Sequence, residues 1–83
     1  DLEAYVGHYD DPLFGAVDIR LLNGVLQASN IKLGKGSLTH FNFDTFNIEW
    51  EKKWQGKSMV QFMMNTTGKI DKMDFDGIQL SKN

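Results

Sequence analysis

Several short groupings carry residue types that could do chemistry. Ser29-Asn30-Ile31-Lys32 matches the S-x-x-K pattern in which a serine nucleophile opens a helix and a lysine one turn later takes its proton. Here the four residues leave a β-hairpin pattern and enter a glycine-rich stretch. The partner motifs S-D-N and K-T-G are absent, so the match is chance. Gly34-Lys35-Gly36-Ser37 resembles the end of a phosphate-binding loop, but the leading glycine and the following helix pattern are missing, leaving a flexible turn as its reading. His8 lies near Asp10 and Asp11, and His40 near Asp44. Two groups of this size fall short of the convergent ligands a metal needs and of the nucleophile, base and orienting partner a hydrolytic site needs. Each histidine is instead expected to hydrogen-bond a nearby carboxylate. Asp74-Phe75-Asp76-Gly77 lacks the first ligand and closing glutamate of a calcium loop, and Asn65-Thr66-Thr67 fits a glycosylation sequon but reads as turn chemistry. No catalytic residue, metal site or cofactor follows from these groups.

Bulk properties narrow the function classes further. The 83 residues suffice for one domain. A net charge of −2 with both signs interspersed gives no basic stripe for nucleic acid and no polybasic membrane anchor. No apolar run approaches the ~20 residues of a spanning helix. Cysteine is absent, so no disulfide or thiolate site supplements the core. The chain opens on Asp1 rather than methionine and is expected to be a piece trimmed from a longer protein.

The positioning elements are strands. Only the opening DLEAY suggests a helical turn, ended by Gly7. Val17, Ile19 and Leu21 then alternate with polar residues, and Asn23-Gly24 is a two-residue hairpin signal. That turn pairs Leu22 with Val25, Leu21 with Leu26, Arg20 with Gln27 and Ile19 with Ala28. Lys32–Ser37 reads as a loop or irregular edge. Within Thr39–Trp50 the aromatic alternation slips by one residue, which predicts a bulge or tight turn at Asn42-Phe43-Asp44 before a strand from Thr45 to Trp50. Further strands are expected at Met59–Met64, at Ile70–Phe75 with a bulge near Ile70, and, after Asp76-Gly77, at Ile78–Ser81. Seven or eight short strands with regular turns predict an all-β fold, an antiparallel meander closing into a barrel or half-barrel.

Phe46, Ile48, Trp50, Val60 and Phe62 occupy alternate positions and are assigned to the core, where each buried side chain stabilises by about 1.5–3 kcal/mol. Met59, Met63, Met64 and Met73 are read as fillers of irregular gaps in it. Phe41, Phe43 and Trp54 are out of phase or in a turn. Base stacking by them would call for interleaved Lys or Arg, and this stretch offers only His40.

Tyr5-x-Gly7-x-Tyr9 resembles the opening of a small β domain of unknown function that follows the catalytic domain in serine β-lactamase-like hydrolases, the penicillin-binding-protein and class C esterase group. Leu38-x-His40-Phe41, Asp44-Thr45-Phe46 and Trp50 resemble its central signature, and Val60-x-Phe62, Gly68-Lys69-Ile70 and Met73-x-Phe75-x-Gly77 its closing strands. Phe41 stands where that family usually has tryptophan, and Asn42 where a second histidine is common. The resemblance implies a lipocalin-like (calycin) barrel or half-barrel, attached to a catalytic serine hydrolase domain of the same chain and placed in the periplasm or another extracytoplasmic compartment. It implies a non-catalytic accessory module. From the residues themselves, the expected partner or ligand contacts are Tyr9, His40, Phe41, Phe43 and Trp54, with Phe43 and Trp54 as exposed apolar groups. The alternative expectation is a barrel holding a small apolar, lipid-like ligand.

Overall fold

Period-two patterning dominates because large apolar side chains recur at every second position, and closure of the resulting ribbon gives all of them one interior. In a computed structural model, which describes residues 2–52 and 56–82, a 3-10 turn at Leu2–Tyr5 leads into eight antiparallel strands. They are β1 (Gly7–Asp11), β2 (Gly15–Leu22), β3 (Val25–Asn30), β4 (Gly34–Asn42), β5 (Thr45–Trp50), β6 (Lys57–Met64), β7 (Ile70–Phe75) and β8 (Ile78–Lys82). Each pairs with the next, and β1 closes on β8 through Tyr9↔Lys82 and Asp10↔Ser81, making a closed barrel. Among the described residues no helix is long and apolar enough to cross a membrane.

The β2–β3 hairpin has the register its turn dictates, from Ile19↔Ala28 to Leu22↔Val25. Asn23 and Gly24 both take positive φ, 51° and 80°, the mirror-image turn that matches strand twist. Asp76 and Gly77 do the same between β7 and β8, at 48° and 94°. Both expected irregularities are present: β4–β5 shifts register between His40 and Asn42, and β6–β7 between Met63 and Met64, opposite Ile70 and Lys72.

Phe46, Ile48, Trp50, Val60 and Phe62 are all buried, together with Tyr9, Leu80 and Met73 among others. The methionine expectation needs correction, since Met73 alone of the four is fully buried, while Met59 and Met64 lie exposed on the outer surface. The loop expected over Lys32–Ser37 is also corrected. From Gly34 onward the chain is strand β4, paired with β3 through Gly34–Ser37. Gly36 belongs there because an added Cβ would lie 2.7 Å from Ile48 Cγ2 and 3.0 Å from both the Glu49 carbonyl oxygen and Trp50 Cε3. A strand glycine of this kind marks close approach rather than a break.

Candidate functional site

The irregular stretch between β4 and β5 is the part of the molecule where the aromatic side chains leave the core. Phe43 and Asp44 form the two-residue turn, and Phe43 has φ 47°. The β2–β3 and β7–β8 turns put Asn23 and Asp76 at the corresponding positive-φ position, residue types that tolerate it. A phenylalanine there carries strain of about 1–2 kcal/mol, and its ring does not recover that by burial, because Phe43 is 84% exposed. Phe41, the residue skipped by the register shift, is 61% exposed.

This turn is held in place from three directions. His40 Nε2 lies 2.6 Å from the Phe43 carbonyl oxygen. A carbonyl can only accept, so Nε2 is the protonated nitrogen. His40 also meets Phe46 edge-on at 5.2 Å. The Asp44 carbonyl accepts the Phe62 N–H at 2.9 Å, and its carboxylate accepts the Tyr5 hydroxyl at 2.6 Å. Tyr5 packs on Phe46 and Phe62 with centroids at 5.2 and 4.7 Å, so the N-terminal turn sits beside the β4–β5 turn. The Asp44 carboxylate, with a smaller contribution from burial, pushes the Tyr5 hydroxyl up to about 12. Tyr9 donates to the Tyr5 carbonyl at 2.7 Å, and burial raises its pKa in turn.

Of the expected contact residues, His40 and Phe41 lie exposed at the end of β4 and Phe43 in the turn that follows. Tyr9 is not on that surface: it is fully buried and props the N-terminal turn from beneath. Trp54 lies outside the described residues. His40 does not bond the neighbouring Asp44, as sequence proximity suggested, but the Phe43 carbonyl. His8 does find a carboxylate, yet it is Asp18 on β2 at 2.6 Å, with Asp10 farther off at 3.7 Å.

The remaining motifs resolve into structure. Ser29 lies on β3 and Lys32 in the turn after it, with no helix to align them, and Gly34–Ser37 lies within β4. The Asn65 carboxamide oxygen accepts from Thr67 N, Thr67 Oγ1 and Lys69 N, which is turn chemistry. Among the described residues no group of three or more His, Cys, Asp or Glu is arranged to hold a metal ion.

Next to Phe41 the outer face of β4–β7 is hollowed into a groove of about 440 Å³, with Asn42, Thr45, Met59, Gln61 and Asp74 among its walls. The sequence pattern carries no signal for it, because these five residues project away from the core that sets the period-two alternation.

A family model for a domain of unknown function, DUF3471, matches residues 1–83. No curated protein and no solved structure gives a match. With the whole chain matched and its core signature residues placed inside the closed barrel, this protein belongs to the DUF3471 family.

Proposed function

We propose that this barrel is a non-catalytic accessory domain, that it packs against a catalytic serine β-lactamase-like hydrolase domain of the same chain, and that it works outside the cytoplasm. The observation that supports the docking role is Phe43. It occupies a strained backbone conformation, points 84% of its surface at solvent and adds nothing to the core. Strain of this kind at an over-determined position signals function. Exposed aromatics such as Phe43 and, two residues earlier, Phe41 are a residue type enriched at interfaces.

The place of the N-terminal turn supports the same reading. Tyr5 bonds Asp44 directly, so the N-terminal turn is tied to the turn that carries Phe43. An interface there would be modest in area, like other interdomain contacts within a chain. The alternative, an apolar ligand inside the barrel, finds less support, since Tyr9, Phe46, Trp50, Phe62 and Phe75 fill the interior.

The experiment compares the full-length enzyme with a version lacking this domain and with Phe43→Gly, measuring thermal stability, kcat/KM and substrate range. Truncation should lower stability or alter turnover, and Phe43→Gly should reproduce part of the change. A truncated enzyme indistinguishable from the intact one refutes the accessory role.

A further inference from the structure

We propose that the groove beside Phe41 captures an arginine side chain presented by an extended segment of a protein partner. This rests on the reading of the β4–β5 turn as a protein-docking surface and adds what that surface recognises.

The registers place Asn42, Thr45, Gln61, Asp74 and Gln79 in a single row across five strands. Asp74 therefore has an amide on each side, Gln61 and Gln79, and no cross-strand cation. Other outward carboxylates are matched differently: Glu49 stands opposite Lys57, and Asp18 bonds His8 at 2.6 Å. Asp76, at the end of the groove, accepts the Met59 N–H at 3.0 Å, which fixes the floor and adds a second negative charge. Among the described residues no cation lines the groove. Asp74 and Asp76 put two carboxylates along the groove, and the wall formed by Phe41 and Met59 is apolar, at 61% and 44% exposure.

A guanidinium matches both features. It stacks on an aromatic face, bonds a carboxylate with two parallel N–H groups, and keeps donors for the neighbouring amide oxygens of Gln61 or Asn42. An ammonium supplies charge without the flat stacking surface. A neutral sugar or amide leaves Asp74 without a charge partner, and an anion is repelled. The volume suits one long side chain with its flanking backbone.

The test titrates the 15N-labelled chain with acetyl-Gly-Arg-Leu-Arg-Gly-amide and with its Lys and Gln counterparts, following amide shifts. Saturable shifts should centre on Phe41, Gln61 and Asp74. The Arg peptide should bind several-fold more tightly than the Lys peptide, and the Gln peptide should not saturate. Asp74→Asn and Phe41→Ser, both on the outer surface, should each weaken binding about fivefold or more while leaving the spectrum dispersed. Raising salt from about 50 to 500 mM should weaken it as well. Equal binding of the Gln peptide, indifference to Asp74→Asn, or shifts at the same residues with maltotriose instead would each overturn the proposal. These outcomes are separable from those of domain truncation: a truncated hydrolase with unchanged turnover sinks the accessory role and leaves the peptide result standing.

Discussion

Replacing Tyr5 by phenylalanine removes one oxygen and leaves the ring on Phe46 and Phe62, so it isolates the hydrogen bond to Asp44. A hydrogen bond to a charged acceptor contributes about 1.5–3 kcal/mol. This one is only part-buried, and water competes for both partners, so about 1–1.5 kcal/mol is expected. For a domain of this size that corresponds to a fall in Tm of about 4–12 °C. Asp44→Ala should cost a similar amount, and the double variant little more than either single one, giving a coupling of about 1 kcal/mol. The pH dependence supplies a second, independent readout. The Tyr5 hydroxyl must keep its proton to donate, and its folded-state pKa is raised from 10.0 to about 12. Its contribution is therefore complete below pH 10 and is lost as pH rises through about 12. The stability gap between the parent chain and Tyr5→Phe, measured by urea titration, should narrow across that window, since groups common to both cancel. Strict additivity in the cycle, or a gap that persists unchanged through pH 12, refutes the latch.

Three further substitutions probe the frame around it. Gly36→Ala drives a methyl into Ile48 and the Glu49 carbonyl and should destabilise by about 1–3 kcal/mol; a neutral melting curve would show that β4 and β5 are not so close. Phe62→Ala deletes the ring shared by Tyr5, Tyr9 and Phe46 and should cost about 3–5 kcal/mol, enough to leave much of the chain unfolded at room temperature by circular dichroism. Phe43→Gly relieves positive-φ strain without uncovering core, so the isolated chain should gain up to about 1 kcal/mol; a loss in chemical denaturation would mean that the ring supports the fold after all.

The parts of this barrel that could be read from sequence are those where two local signals coincide. At β2–β3 the alternation and the Asn23-Gly24 turn demand the same register, and the strands adopt it. β1 gave little warning, because in GHYDD only Tyr9 faces inward and the acids and the glycine mask the strand. Gly36 misled for a related reason. Its purpose, to let Ile48 and Trp50 close over the backbone, belongs to a neighbouring strand and leaves no trace in the local composition. The Tyr5–Asp44 bond joins residues 39 apart, a span that no pattern of period two encodes. What did show was the phase slip among the aromatics of Thr39–Trp50. It located the turn, and the fold explains the slip physically. Phe46, Ile48 and Trp50 obey the alternation and are buried; Phe41 and Phe43 break it and stand in water, one skipped by the register and one in a left-handed turn. Sequence and fold thus agree on where the alternation breaks, and the two phenylalanines at that break stand where folding gains nothing from them.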